Sequence, residues 1–273
     1  MPTLEYSVDE LISVCISRQV VDAEVLAQGI NTPLVMAGYI LAQCTHAPNV
    51  RFASAIGQTI SVEWAPLGVA RIEDFWLTRG LIHVSFAGAS LDLLPGFNPK
   101  EFFRPAQVDA VGNFNNISLG ADYHRPRLRL PGSGGIPDVT PHSHQIYLYV
   151  PRHSRLTFVE KVDLVSGLGH IEDRPGGVGP RYLISDFGQF DWEGGRMRLL
   201  TYHPGRSIES VQKKTGFPLE IAPDVHETEP PTAEELRLLR EVIDPLAVRK
   251  LETLAGAARK DHLRWILEQE GAL

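Results

Sequence analysis

Cysteine is scarce in this chain, and its scarcity excludes two kinds of site. Cys15 and Cys44 lie too far apart for the spacing of a zinc site, and two residues cannot build a disulfide framework. Both have apolar neighbours in sequence, so we expect buried free thiols, as in a protein of the reducing cytoplasm.

Positive charge and long apolar runs are also lacking. Lys and Arg number 26 against 33 Asp and Glu, a formal net charge of -7, which excludes binding of nucleic acid through a generally basic surface. A small anionic ligand remains compatible, because a local positive patch can exist in an acidic chain. No stretch has the length of a membrane span, and residues 1–5 lack the basic start of a signal peptide.

Several catalytic signatures are missing as well. The chain has no HExxH, no Gly-x-Ser-x-Gly and no Walker loop, and Gly167-Leu168-Gly169 lacks the third glycine of a dinucleotide fingerprint. His142, His144, His153 and His170 lack a third metal ligand at a defined spacing. We therefore expect polar contacts for these histidines and no metal site.

What is present indicates an α/β fold. The 273 residues are 43% hydrophobic and 22% charged, as in a soluble globular enzyme. The patterns predict helices to residue 20 and over 32–44, and strands over 24–29 and 50–55. This alternation predicts an open, mostly parallel sheet flanked by helices.

The later elements are predicted from shorter patterns. We expect helices over 72–79 and 207–214, strands over 81–87, 146–150, 156–162, 182–185 and 197–202, and a loop or insertion over 90–104. Thr232 and Glu235 form a capping box after two prolines. The sequence thus predicts a domain over 1–229 and a helical tail over 230–273. In this tail Pro245 ends a first helix, and a second helix is expected over 246–269.

Residues 132–138 form a glycine-rich loop, Gly-Ser-Gly-Gly-Ile-Pro-Asp. Glycine lets backbone N–H groups approach a ligand without a Cβ in the way, and converging N–H groups stabilise an oxyanion. The alternative is a surface turn. Residues 107–116, with Gly112, Asn113 and Asn115, fit either a structural turn or the floor of a pocket.

These segments together resemble the β subunits of family I CoA-transferases, the group of glutaconate and 3-oxoacid CoA-transferases. The resemblance runs from about Leu11 to Lys250 and depends on an ordered set of motifs. They are His46-Ala47-Pro48-Asn49, Gln107-Val108-Asp109 with Gly112-Asn113, Gly132-Ser133-Gly134-Gly135 with Asp138, residues 158–163, Asp186 to Asp191, Met197-Arg198-Leu199, His203-Pro204-Gly205 and residues 234–245.

The resemblance implies a mechanism and one departure from it. In such enzymes a glutamate of the β subunit attacks the acyl-CoA carbonyl and forms an anhydride, then a thioester. The matching stretch here is Ser54-Ala55-Ile56-Gly57, with Ala55 at the glutamate position. Glu63, Glu73 and Glu101 do not keep the motif spacing. The chain also resembles, in layout, the β subunit of a steroid-ring-opening CoA-thioester hydrolase whose key glutamate is on the α subunit.

The resemblance therefore implies an acyl-CoA enzyme with coenzyme A in its substrate and an α subunit as partner, in an α2β2 assembly. Gly134 and Gly135 would supply oxyanion N–H groups. The substrate pocket would be lined by Gly29, Asn31, Gly57, Gln107 and Asn113. Ala55 favours hydrolysis over CoA transfer. Two alternatives are a non-catalytic stabilising subunit and a small-ligand binding module.

Overall fold

The computed structural model describes residues 4–29, 32–54, 58–70, 78–174 and 176–273. The chain divides into two compact units, Met1–Lys100 with Pro230–Leu273, and Glu101–Glu229. The division into a domain over 1–229 and a tail over 230–273 stays a prediction. Within the described ranges, no helix has the length and apolar character needed to cross a membrane.

The first unit begins with the predicted helix–strand–helix–strand order. Helix α1 (Val8–Arg18) starts at Ser7, whose N–H donates to the Glu10 carboxylate at 2.8 Å in a capping box. Strand β1 (Val25–Gln28), helix α2 (Pro33–Thr45) and strand β2 (Arg51–Ser54) follow, and β1 pairs with β2 in parallel. These elements confirm the predicted β-α-β order.

Helices α1 and α2 pack closely because α2 has a glycine where they cross. A Cβ on Gly38 would lie 2.7 Å from the Ser13 carbonyl oxygen and 2.7 Å from Ile16 Cγ2, so no larger residue fits. The first ten residues of α2 are buried. An almost wholly apolar helix of this kind belongs in a core.

Strands β3 (Thr59–Ser61) and β4 (Ile82–His83) extend this sheet segment antiparallel, in the order β1-β2-β3-β4. Helical turns follow over Phe86–Gly88 (α3), Ala89–Leu93 (a π-helix) and Leu94–Phe97 (α4). The predicted strand over 81–87 is therefore shorter. Most of the helix predicted over 72–79 lies outside the described residues.

The prediction of a loop over 90–104 is wrong in its first residues and near its end. Its first residues are helical, and Lys100–Phe103 form strand β5. The prolines and the glycine of this segment favoured the prediction of a loop. The strand is defined by hydrogen bonds to residues distant in sequence. The Glu101 N–H donates to the Gln145 carbonyl at 3.1 Å, and Phe102 and Phe103 are buried.

The second unit contains a six-stranded sheet segment in the order β14-β13-β12-β11-β10-β5. Strands β5, β10 (Ile146–Val150) and β11 (Tyr182–Ser185) run parallel. β12 (Gly188–Glu193) and β13 (Arg196–Tyr202) are antiparallel to each other, and β14 (Glu220–Glu227) pairs with β13 in parallel. The predicted α/β class, with parallel strands and flanking helices, is confirmed.

Two small hairpins and two short helices complete this unit. The hairpins pair β6 (Gln107–Val108) with β7 (Phe114–Asn115), and β8 (Ser118–Leu119) with β9 (Leu128–Arg129). The helices are α5 (Ile136–Val139) and α6 (Ile208–Lys214), the latter capped by Ser207 as expected.

The strand predicted over 156–162 is wrong. Phe158 forms one isolated bridge with Val108, and the surrounding residues are turns. Phe158 is fully buried and stacks on His153 with ring centroids 3.6 Å apart. The apolar residues of this segment are buried by packing of side chains and not by a strand ladder, a distinction that hydrophobicity alone cannot make.

The C-terminal residues of the first unit are helical in several pieces. Helix α7 (Ala233–Arg237) begins at Thr232, whose Oγ1 accepts the Glu235 N–H at 3.2 Å. A π-helix (Leu238–Ile243), a 3-10 helix (Val248–Glu252) and α8 (Gly256–Gln269) follow. The predicted helix over 246–269 is thus interrupted, and Gly256 has φ +56 at the break.

A buried arginine joins this C-terminal part to α1. The Arg249 guanidinium lies 2.8 Å from Asp244 Oδ2, 3.1 Å from Glu10 Oε1 and 2.9 Å from Asp9 Oδ2, the last a charge contact without hydrogen-bond geometry. Burial raises the pKa of Glu10, but Arg240, Ser7 and Arg249 outweigh it and lower that pKa to about 2.

Arg249→Met is expected to destabilise the protein by about 3–5 kcal/mol, because it leaves buried carboxylates without their shared counter-charge. Arg249→Lys keeps the charge and should cost less. Urea unfolding at pH 7 measures both. Equal stability of Arg249→Met and the wild type would show that the cluster contributes no net stability.

Candidate functional site

Two parallel strands of the first unit end side by side at the carboxyl edge of their sheet segment. Gln28, the last residue of β1, is in register with Ser54, the last residue of β2. Ligands of α/β proteins bind beyond the carboxyl ends of such strands. Gly29 follows β1, and no atom of the described residues lies within 4 Å of where its Cβ would be. The predicted positions Asn31, Ala55 and Gly57 lie outside the described residues.

Sequence reasoning missed two polar side chains here. Gln28 is only 7% exposed, yet its Oε1 has no hydrogen-bond partner in the described part of the chain, and neither has the buried Oγ1 of Thr32. An unsatisfied buried acceptor costs about 1–3 kcal/mol, which a donor from a ligand or water offsets. The available signal was a glutamine that ends an otherwise apolar parallel strand.

In the second unit the carboxylate of Asp109 organises the 107–116 turn. Its oxygens accept the N–H of Val111 at 3.2 Å, and the N–H and Nδ2–H of Asn113 at 2.9 and 3.1 Å. Burial raises the Asp109 pKa, while these bonds lower it less strongly. Gly112 has φ +82, so the turn requires glycine there.

The side chains of Gln107 and Asn113 already have protein partners. Gln107 Nε2 donates to Asp163 Oδ2 at 3.1 Å, and its Oε1 accepts from Asn115 Nδ2 at 2.8 Å and the Asp163 N–H at 3.0 Å. Asn113 Oδ1 accepts the Gly169 N–H at 2.9 Å. These bonds support the interpretation of residues 107–116 as a structural turn. Substrate binding by Gln107 or Asn113 stays a prediction.

The glycine-rich loop leads into α5 and is open on its outer side. Gly132 has φ +116 and Gly134 φ +53, and a Cβ on either would meet no atom of the described ranges within 4 Å. Among the described residues, no acceptor bonds the N–H groups of Gly134 and Gly135. The loop is anchored below by Ile136, which is buried in the core of the second unit. The two N–H groups are therefore free for a ligand.

Arg174 links the glycine-rich loop to the Asp109 turn. Its Nη1 donates to the carbonyls of Leu168 and Gly169 at 3.0 and 2.7 Å, and its Nη2 donates to the Thr140 carbonyl after α5. Thr140 Oγ1 accepts the Leu168 N–H at 3.3 Å. Since Gly169 is bonded to Asn113, one hydrogen-bond network holds both turns.

The histidines form polar contacts where they are buried. His153 bonds the hydroxyls of Ser185 and Thr215, each at 3.0 Å, and burial lowers its pKa to about 3. His170 contacts the Pro180 carbonyl at 2.9 Å. In the described ranges no three His, Cys, Asp or Glu residues are grouped as metal ligands.

Glu101 is a half-buried carboxylate on the same face of the sheet as the core of the second unit. It faces Ile146 across the β5–β10 ladder and shares its strand face with Phe103. Burial raises its pKa from 4.5 to about 7. Of the other glutamates considered, Glu63 is exposed and paired with Arg79, and Glu73 lies outside the described residues.

Comparison with known proteins decides the family. No protein-family model matches the chain. The chain is 32% identical over 257 residues to the β subunit of glutaconate CoA-transferase of Acidaminococcus fermentans, covering 88% of this chain and 93% of that protein. The chain belongs to the CoA-transferase family, as a β subunit.

Other relatives extend the range of this family. The chain is 30% identical to the β subunit of 3-oxoadipate CoA-transferase of Pseudomonas knackmussii, covering 86% of this chain and 92% of that protein. It is 31% identical to the cholesterol ring-cleaving hydrolase IpdB subunit of Mycobacterium tuberculosis, covering 81% of this chain and 88% of that protein.

Solved structures agree with this assignment. The decarboxylase AibA/AibB superposes with a TM-score of 0.80 at 26% identity, covering 92% of this chain and 100% of that one. Glutaconate CoA-transferase of Acidaminococcus fermentans gives a TM-score of 0.77 at 27% identity, covering 92% of this chain and 99% of that one. Proteins similar to this β subunit are thus named for three reactions, which are CoA transfer, hydrolysis and decarboxylation.

Glu101→Gln is expected to stabilise the protein only at higher pH. The carboxyl group of Glu101 has a higher pKa in the folded protein than in the unfolded chain. Its contribution to stability is therefore fully present below pH 4.5 and is lost as the pH rises through about 7. At pH 8 the variant should be more stable by at most about 3 kcal/mol, and at pH 4 by little. Urea unfolding at both pH values measures this, with the exposed Glu63→Gln as control. A pH-independent difference would contradict the burial argument.

Gln28→Leu is expected to stabilise the chain by about 1–3 kcal/mol, because it removes the unpaired buried acceptor, and to lower the activity of the assembled enzyme. Gln43→Leu is the matched control. Gln43 Oε1 also has no partner among the residues that the structure describes, but Gln43 Nε2 donates to the Val62 carbonyl at 2.9 Å, a bond that leucine loses. Thermal unfolding and turnover are measured together, and a destabilised Gln28→Leu chain would show that this acceptor is satisfied internally.

Proposed function

We propose that this β subunit acts on an acyl-CoA thioester together with an α subunit, as an α2β2 enzyme of the cytoplasm. Coenzyme A is part of the substrate, and no cofactor is held permanently. The observation that carries the proposal is the pair of free N–H groups at Gly134 and Gly135, in a loop that the Arg174 network holds in place.

In this mechanism the Gly134 and Gly135 N–H groups bind the thioester carbonyl oxygen. Attack on that carbonyl places negative charge on the oxygen, and preorganised donors stabilise the charge as it forms. The attacking group comes from the α subunit or from water that an α-subunit base activates. The predicted substrate contacts are Gly29, Asn31 and Gly57 in the first unit and Gln107 and Asn113 in the second, and in the first unit we add Gln28.

The reaction we favour is hydrolysis. Ala55 has a methyl side chain and cannot form an acyl anhydride, so this chain cannot supply the covalent step of CoA transfer. The steroid-ring hydrolase subunit is a relative at 31% identity. The likeness to AibA/AibB makes decarboxylation the second candidate. The enzymatic relatives do not favour a purely stabilising subunit or a binding module.

The test uses the chain co-purified with its α-subunit partner. Incubation with acyl-CoA should release free coenzyme A thiol without an added acceptor acid. Carbon dioxide release instead would select decarboxylation. Acceptor-dependent exchange with a glutamyl thioester trapped on this chain would contradict the Ala55 argument.

Gly134→Val should lower kcat by about 10²-fold or more while the complex still assembles, because it displaces an oxyanion donor. Gly194→Val is the matched control, since Gly194 has φ +56 and equally open surroundings but lies in the turn between β12 and β13. Gel filtration verifies assembly. Unchanged turnover of Gly134→Val would remove the oxyanion role and favour a stabilising subunit.

A further inference from the structure

The segment 121–131 is a basic hairpin in an acidic protein. It contains Arg125, Arg127 and Arg129 with His124, all exposed, and Asp122 as its one acidic residue, while the whole chain has a net charge of -7. The segment contains β9, which pairs with β8, and it ends directly before the glycine-rich loop. Neither the fold nor the proposed oxyanion site accounts for this concentration of positive charge.

The base of the hairpin is fixed to the Asp109 turn. The Gly120 N–H donates to Asp163 Oδ2 at 2.8 Å, and the same oxygen accepts the Gln107 carboxamide. Gly120 has φ +111, and a Cβ there would lie 2.9 Å from the Arg127 nitrogen, so the two arms approach closely. The arginines are therefore carried by an anchored element.

The charges of the hairpin are largely uncompensated. In the described part of the chain, the side chains of Arg125 and Arg127 have no ion pair or hydrogen bond. Arg129 lies over the Tyr123 ring, 4.6 Å from its centroid, and donates to the Tyr123 carbonyl at 2.9 Å. The Asp122 carboxylate accepts the His124 N–H at 2.8 Å. The guanidinium groups of Arg125 and Arg127 are thus available to an anion.

The hairpin is also close to the proposed thioester site. Arg127 is five residues before Gly132 and seven before Gly134, which limits its Cα separation from Gly134 to about 25 Å. An anion bound at the hairpin is therefore within reach of a thioester bound at the glycine-rich loop, provided that the two are joined by a flexible arm.

We propose that the hairpin 121–131 binds the phosphate groups of the coenzyme A part of the substrate, chiefly through Arg125 and Arg127. The proposal rests on the acyl-CoA function inferred above. Guanidinium groups match phosphate in both charge and paired hydrogen-bond geometry. The pantetheine arm then connects phosphates at the hairpin to the thioester at the Gly134 and Gly135 N–H groups.

The experiment compares two substrates that share the acyl group and the pantetheine arm. The two-subunit enzyme is assayed with an acyl-CoA and with the same acyl group on pantetheine, which has no phosphate. Arg125→Gln with Arg127→Gln should raise KM for the acyl-CoA about tenfold or more and leave kcat and the pantetheine KM unchanged. Arg259→Gln with Lys260→Gln, an exposed pair on α8, is the charge-matched control and should change neither KM.

Equal changes in KM for both substrates, or none, would overturn the proposal. Loss of assembly in the hairpin variant would also overturn it, and would identify the hairpin as a contact for the partner subunit. A binding titration of coenzyme A against pantetheine is independent of turnover. If the wild-type complex turns over neither substrate, the proposed function fails, while phosphate-dependent binding weakened by the hairpin substitutions would still support the hairpin site.

Discussion

The carboxamide of Asn113 makes the interactions on which the candidate site depends. It donates to Asp109 within its own turn and accepts the Gly169 N–H from another segment, which Arg174 then joins to Thr140 at the end of the glycine-rich loop. Free N–H groups stabilise an oxyanion only when they are held in place beforehand. Asn113, which the sequence predicts as a substrate contact, thus also helps to hold the glycine-rich loop in position.

The α/β class, the β1-α2-β2 unit and the capped helices at Ser7 and Thr232 could be predicted from sequence because each has a local cause. Periodicity, capping residues and Pro33 all lie within a few residues of the element that they define. β5 and the turn at Phe158 could not be predicted, since one is defined by its pairing with β10 and the other by packing in the core. Such long-range partners leave no local pattern.

For the site, the sequence predicted which segments take part but not which hydrogen bonds their atoms form. The glycine spacing predicted open N–H groups at Gly134 and Gly135, whereas the bonds of Gln107 to Asp163 and Asn115 depend on how distant segments pack. Gln28 was missed because an unsatisfied oxygen is a property of packing. The hairpin arginines show the converse, since an acidic total concealed a local basic surface.

The most direct test of the central claim is a crystal structure of the two-subunit enzyme with a ketone analogue of an acyl-CoA. We expect the analogue's carbonyl oxygen, or that of its tetrahedral adduct, to lie about 2.7–3.1 Å from the backbone nitrogens of Gly134 and Gly135. An analogue bound elsewhere, with the glycine-rich loop facing solvent, would contradict this claim.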